Sequence, residues 1–428
     1  MHGDLPALER ALAQGANADE PPILLRGDGT ESKPSFKPWG SPLLAAASLG
    51  KHRSMLALLS AGADPSKKSL DGSGLLLSAT RSGSLPCFAM AAMADPHPIA
   101  ADLRDIDALM IASMAGRPAM VAELLALGLD PNRSTRLAKT ALHFACESGS
   151  TKTCALLIEA GADASAKDEH GKTPLFYASS RANPDIVPML LARGASIDET
   201  DNLGQSALHQ LARKKDTRLS RRLLGLGASA RARDSDGITA LGMACRYGWA
   251  QHILDLAQAG ADVSAPGKPG QSGFHIIMDK APFGQAIEAG MALLQCGANP
   301  NARDKDGYSA LDRAVRRSPY WTEIILAWGA DPNLPHPSTG LSALDSVAFR
   351  GGTERLVDLH TAQALLAAGA RPSPSLMAAY LQREALAPGP GPRDVMGLVW
   401  TRCKIEHERS ELDKESNTFA PSARKASL

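Results

Sequence analysis

Aromatic side chains are scarce in this chain, at 4% of 428 residues. A single large core built on Phe, Tyr and Trp is thereby excluded, and the interior must be assembled from Ala, Leu, Ile, Val and Met. An excess of one charge is missing as well: 46 Lys and Arg stand against 45 Asp and Glu, a formal net charge of +1. No overall field draws in nucleic acid or an anionic membrane. No apolar run approaches the ~20 residues of a membrane-spanning helix. The amino terminus, Met1-His2-Gly3-Asp4, has neither the basic region nor the apolar stretch of an export signal. The six cysteines, Cys87, Cys146, Cys154, Cys245, Cys296 and Cys403, contain no Cys-x-x-Cys pair and no zinc-like spacing to histidine. They are expected to be packing thiols in a reducing, cytosol-like compartment.

What the chain does have is a phrase that returns. Thr140-Ala141-Leu142-His143, Thr173-Pro174-Leu175-Phe176, Ser206-Ala207-Leu208-His209 and Thr239-Ala240-Leu241-Gly242 stand 33 residues apart. The register continues outward through Ser41-Pro42-Leu43, Ser73-Gly74-Leu75, Asp107-Ala108-Leu109, Ser272-Gly273-Phe274, Ser309-Ala310-Leu311 and Ser342-Ala343-Leu344. A second half repeats with it, an apolar run followed by Gly, a small residue and Asp or Asn, as in Leu58 to Asp64, Leu156 to Asp163 and Leu293 to Asn301. A Ser or Thr hydroxyl caps a helix start, Pro is tolerated in the first turn, and Gly supplies the left-handed residue that ends a helix. Each unit reads as helix, tight turn, second helix and loop. In such an array length measures layer number, not domain number.

On these motifs the chain, from Asp4 to Pro372, resembles the ankyrin repeat family, whose unit runs D-x-x-G-x-T-P-L-H-x-A-A, then G-H, then L-L-x-x-G-A-D-V-N. Individual copies are degenerate. The unit from Ser73 has no Gly-Ala-Asp ending, and only Thr173 and Ser41 are followed by the family's Pro. The resemblance implies an all-α solenoid of about ten helix-turn-helix units, with an amino-terminal half repeat, a carboxyl-terminal helical extension and no more than minor hairpin content. It also implies that His143, His209 and His275 hydrogen-bond between neighbouring repeats. The ends of the first helices and the loop tips would form a concave face for protein ligands.

Three places break the period. Asp4 to Asn17 matches only a second helix, so either the solenoid opens on half a repeat or the native chain begins upstream. Glu20 to Trp39, rich in Pro, Gly, Ser and Lys, is an insertion expected to be a mobile finger or an ordered interaction loop. Its Arg26-Gly27-Asp28 matches integrin ligands, a reading set aside for want of an export signal. At the carboxyl end, Ser375 to Ala387 reads as a closing amphipathic helix stopped by Pro388-Gly389-Pro390-Gly391-Pro392. Beyond it Leu398, Ile405 and Leu412 keep a heptad spacing in a charged segment. The organisation expected is a solenoid over 1–387 with the inserted loop 20–39, a linker over 388–392, and a helical or disordered tail over 393–428.

A search for catalytic chemistry finds little. Gly225-Leu226-Gly227-Ala228-Ser229-Ala230 imitates a dinucleotide motif without the strand that motif requires, and Gly227 is the repeat's helix-ending glycine. The histidines lie one per layer and cannot converge on a metal or a nucleophile. No catalytic, cofactor-binding or metal constellation is read, and the chain is expected not to be an enzyme.

A surface pattern remains. Seven and eight positions on from the capping residues stand Ser180 and Arg181, Arg213 and Lys214, Arg246 and Tyr247, Asp279 and Lys280, Arg316 and Arg317, and Phe349 and Arg350. Every one of these layers carries a cation. The earlier equivalents, Ser48 and Leu49, Thr80 and Arg81, Met114 and Ala115, and Glu147 and Ser148, form no such run. Tyr247, Trp249, Tyr308, Tyr320, Trp321 and Phe349 gather in the basic half, and Arg and aromatic residues are enriched at interfaces. The helix dipole, which favours cations at a C-terminus, accounts for part of the pattern. Loop-tip Asp168, Glu169, Asp201, Asp234, Asp236, Asp304 and Asp306 would repel phosphates. The sequence therefore describes a non-enzymatic scaffold whose partner-binding residues are Arg181, Arg213, Lys214, Arg246, Tyr247, Lys280, Arg316, Arg317, Phe349 and Arg350. Its ligand would be a protein with an acidic or extended segment, with no membrane and no nucleic acid involved. Two alternatives stand beside it: a regulatory or secreted bacterial effector aimed at a host protein, acting in the cytoplasm or after delivery into a host cell, and a nucleic-acid-binding regulator.

Overall fold

The computed structural model describes residues 5–20, 24–25, 31–32, 40–94, 102, 105–181, 183–268, 270–348 and 356–384, together with the pairs 398–399, 401–402 and 404–405. The described residues form 22 helices, and the fold is an all-α repeat array. Their contacts divide into two compact units, Met1–Leu211 with Arg218–Ala228, and Ala212–Thr217 with Ser229–Leu428.

Local chemistry sets the helix ends. Extended Ser41 accepts from the Leu44 amide at 3.3 Å, Asp107 from Met110 at 2.9 Å and Thr239 from Gly242 at 3.2 Å, each relieving one orphan amide of a helix start. The register at Ser73 is one residue off. Gly74 is the N-cap of Leu75–Ser82, and Ser73 Oγ instead accepts from Arg81 at 2.6 Å. The second helices stop where the glycines predict: Gly161 has φ 87° and Gly297 φ 79°, values that strain any residue with a Cβ.

Within a unit, first helices pack on first helices and second on second. Ala141–Ser148 lies between Ala108–Met114 and Pro174–Arg181, and Ala250–Gln258 lies against Phe283–Gln295. The core is small and aliphatic, as the scarcity of aromatics requires: Leu142, Ala145, Leu175 and Ala178 are buried in the first unit, Leu241, Ala244, Leu311 and Ala314 in the second.

Buried polar groups join layer to layer. His143 Nδ1 accepts from the Thr140 amide at 3.1 Å, so its Nε2–H donates to the Lys172 carbonyl of the next layer, also at 3.1 Å. His275 does the same to Tyr308 at 3.0 Å. Burial pushes both imidazoles below the ordinary histidine pKa and keeps them neutral. Asp312 stands at the corresponding position one layer further on, its carboxylate accepting from the Ser309 amide and hydroxyl at 2.8 Å each. Gly242 leaves the position empty because the Pro266 carbonyl fills it. A Cβ there would lie 2.1 Å from that oxygen, which accepts from the Thr239 amide and hydroxyl instead.

Helix Leu5–Ala13 packs on His52–Ser60 in the manner of a second helix. Residues 24–25 pair antiparallel with 31–32. The rest of the insertion, including Arg26-Gly27-Asp28, lies outside the described residues. The closing helix is described over Pro374–Glu384, while the linker and Leu412 fall outside. No helix among the described residues is long and apolar enough to cross a membrane.

Candidate protein-binding face

The loop-tip carboxylates are of two kinds. Asp168, Asp201, Asp234 and Asp304 are buried. In each, Oδ1 accepts the amides two and four residues on, at 2.8 to 3.0 Å. These four close their own loops. Glu169, Asp236 and Asp306 remain exposed.

At three caps the residue just before the cap, Lys139, Lys172 or Tyr308, makes a cation–ring contact with a first-helix side chain. In the first unit the loop supplies the cation and the helix the ring. Lys139 Nζ sits 4.4 Å from the Tyr177 ring centroid and 5.6 Å from that of Phe144, and it pairs with Glu147 at 3.5 Å. The Tyr177 hydroxyl donates to Asp168 Oδ2 at 2.7 Å. Burial and that carboxylate push the phenol above its usual range. Burial opposes ionisation of Asp168, yet the Tyr177 hydroxyl and the Lys172 and His170 amides hold its carboxyl below the ordinary value.

In the second unit the order is reversed. Tyr308 comes from the loop and Arg316 from the helix. Arg313 reaches Asp304 Oδ2 at 2.9 Å through Nε and Asp279 Oδ2 at 3.3 Å through Nη1. Arg316 lies over the Tyr308 ring, 5.0 Å from its centroid. Met278, Tyr308, Arg313, Arg316 and Arg317 line an open depression of about 430 Å³ together with Asp279, Asp306 and Asp312. Sequence reasoning missed Lys139, Phe144, Tyr177 and Arg313. Their signal lay at one position before and four after each cap, not seven and eight after.

Of the expected site residues, Arg213, Arg246, Lys280 and Arg316 are exposed, and Tyr247 is half-buried at the end of Ala240–Tyr247. Lys214 is half-buried and engaged by other groups. Arg317 is occupied: it donates to the Met278 carbonyl, approaches Asp279 at 4.0 Å and stacks 5.7 Å from the Trp321 ring centroid. Arg181 ends Pro174–Arg181 in the first unit, but its side chain lies outside the described part, as do Phe349 and Arg350. No group of three His, Cys, Asp or Glu among the described residues is arranged to hold a metal ion. Cys146 and Cys154 are buried with sulfurs 3.8 Å apart. Burial pushes the Cys146 and Cys245 thiols up, which disfavours the nucleophilic thiolate.

Stacked helix pairs, closed loops and side chains repeated layer by layer define a helical repeat protein. Residues 109–201 match the family model for ankyrin repeats in three copies, and the chain carries ankyrin repeats. It is similar to cyclin-dependent kinase inhibitor 2A of Monodelphis domestica, 36% identical over 74 residues, 17% of this chain and 43% of that one. Cyclin-dependent kinase 4 inhibitor B of Mus musculus is 34% identical over 80 residues, 19% of this chain and 62% of that one. Cyclin-dependent kinase inhibitor 2A of Homo sapiens is 35% identical over 80 residues, 19% and 51% of the respective chains. The chain spans about half the length of the curated relatives it matches.

Proposed function

We propose that the chain is a non-catalytic protein-interaction scaffold, and that the basic ends of the first helices in its second unit hold an acidic, extended segment of a partner protein. The observation that carries this reading is the recurrence of Arg213, Arg246, Lys280 and Arg316, exposed and engaged by no ion pair among the described residues. A helix dipole favours a cation in the last turn by a few tenths of a kcal/mol, but it does not demand one at the seventh or eighth position after the cap in four successive layers. Layers ~8–10 Å apart correspond to about three residues of extended chain at ~3.3 Å each. A ligand with Asp or Glu at every third position would thus meet one cation per layer. Tyr308 holds the Arg316 guanidinium in place, which lowers the ordering cost of binding. The relatives are named as inhibitors of cyclin-dependent kinases, and a protein kinase is the first partner to test. The exposed Glu169, Asp236 and Asp306 weigh against a phosphate backbone.

Replacing Arg213, Arg246 and Arg316 by Glu should weaken binding of a fluorescent peptide with Asp at every third residue, and of a cyclin-dependent kinase, by about tenfold or more. Helix content and melting should stay nearly unchanged, since exposed charges contribute little to folding. Equal affinity in the parent and the triple variant would remove the basic face as the site. Binding to random duplex DNA that falls steeply between about 50 and 200 mM salt would favour the nucleic-acid regulator instead.

A further inference from the structure

Helix Phe283–Gln295 is 13 residues long, while its neighbouring second helices Ala250–Gln258 and Pro319–Ala327 have 9 each. Phe283, Ile287 and Met291, spaced four apart on it, are 47%, 45% and 47% exposed. Tyr320 on the following second helix is 67% exposed. The neighbouring Ala250–Gln258 instead exposes Gln251 and Gln258. Contiguous apolar exposure of this kind marks an interaction surface more often than chance packing does.

The stripe is built on a stiff seam. Phe283 meets Tyr320 and Trp321 edge-on at 5.8 and 5.7 Å between centroids. The Trp328 indole occupies the space over Gly290, where a Cβ would lie 2.0 Å from the ring. At the Phe283 end, a cleft of about 430 Å³ opens between Phe283, Arg317, Ser318, Tyr320 and Trp321, enough for one large apolar side chain. Lys280 stands exposed just before Phe283, so that end is cationic. The body is not: Phe283–Gln295 contains no Lys or Arg, and Glu288 and Glu323 are exposed along its flanks.

We propose that this stripe is a second protein-docking surface, which adjoins the basic face at Lys280 and takes an amphipathic helix from a partner protein. The run from Phe283 to Met291 is about 12 Å long at ~1.5 Å per residue, the span of helix anchors at i, i+4 and i+7. Charge sets the rest of the chemistry. The partner helix carries a carboxylate beyond one end of its apolar face, opposite Lys280 and Arg317, and basic residues along its sides, opposite Glu288 and Glu323. An acidic extended segment fits the basic face and not this one.

The test uses the full chain and a fluorescent amphipathic peptide of about 18 residues, with leucines on one face, lysines on both flanks and two glutamates at one end. Saturable binding is expected, with hydrogen-exchange protection confined to 283–291 and 317–324. Ile287→Glu with Met291→Glu should weaken it by about tenfold or more, leave helix content intact, and leave the Asp-rich peptide bound as by the parent. Lys280→Gln should cost about threefold, a rim charge effect. The converse variant, Arg246→Glu, should spare the helical peptide, so failure of one site is distinguishable from failure of the other. The proposal is overturned by absence of saturable binding, by equal affinity of the double variant, or by protection outside those segments. It is equally overturned by a parent dimer that the double variant dissolves, which would make the stripe a contact between copies of this chain.

Discussion

The two units build a cation–ring contact between loop and helix in opposite senses. In the first, the loop cation Lys139 is laid over helix-borne rings and paired with Glu147, so its charge is spent inside the molecule. In the second, the ring comes from the loop as Tyr308 and the cations from the helix, with Arg313 spent on Asp279 and Asp304 while Arg316 remains exposed. With the ring on the loop, the cation that lies over it stands near the end of the first helix and stays exposed. Which cations stay exposed follows from pairing between layers, and a count of basic residues does not capture it.

Substitutions in the two units put this contrast to experiment. Core substitutions should be blind to it. Leu175→Ala in the first unit and Leu311→Ala in the second should each cost about 2–5 kcal/mol in urea denaturation, and a loss below ~0.5 kcal/mol at either would mean that the core register is wrong. Gly242→Val should cost as much, because its Cβ meets the Pro266 carbonyl backbone and has nowhere to move.

The joints between layers come next. His143→Ala should remove about 1–3 kcal/mol, leaving buried partners unsatisfied, and this joint should respond near neutral pH. The native imidazoles of His143 and His275 are held below 6.5. As pH falls below 6.5 the unfolded state therefore binds more protons, and stability is lost at up to roughly 1.4 kcal/mol per pH unit per histidine. Melting temperature should drop between pH 7 and 5 in the parent and drop less in His143→Ala. An equal slope would place the titration elsewhere. Asp168 and Asp304, held below 3.8, contribute stability that is present above that value and lost only in more acid solution.

Smaller effects separate the two faces directly. Lys139→Met should lower stability by about 0.5–1 kcal/mol and leave Asp-rich peptide binding unchanged. Arg316→Met should do the reverse, weakening that peptide about threefold to tenfold while moving stability by less than ~0.5 kcal/mol. Identical behaviour of the two variants in calorimetry and anisotropy would erase the distinction between the units. At the low end, Arg136→Gln removes an exposed ion pair to Asp105 and should change stability by less than about 0.5 kcal/mol.

The caps, the glycines and the apolar spacing determined the helix-loop-helix period from sequence alone, because each acts within four or five residues of itself. Even there Ser73 was displaced by Gly74, since Arg81 offered its hydroxyl a better partner than the helix start did. The site was legible only as a list of basic residues. Arg316 and Arg317 are neighbours with the same side chain, yet one faces outward and the other is tied to Met278, Asp279 and Trp321. Asp304 and Asp306 share one loop, yet one is buried against two amides and the other is exposed. The fit of Trp328 over Gly290 and of Lys139 over Tyr177 joins residues about one repeat apart in the chain. Such choices depend on which groups the next layer presents across a gap of a few ångströms, and only the tertiary structure brings those groups together.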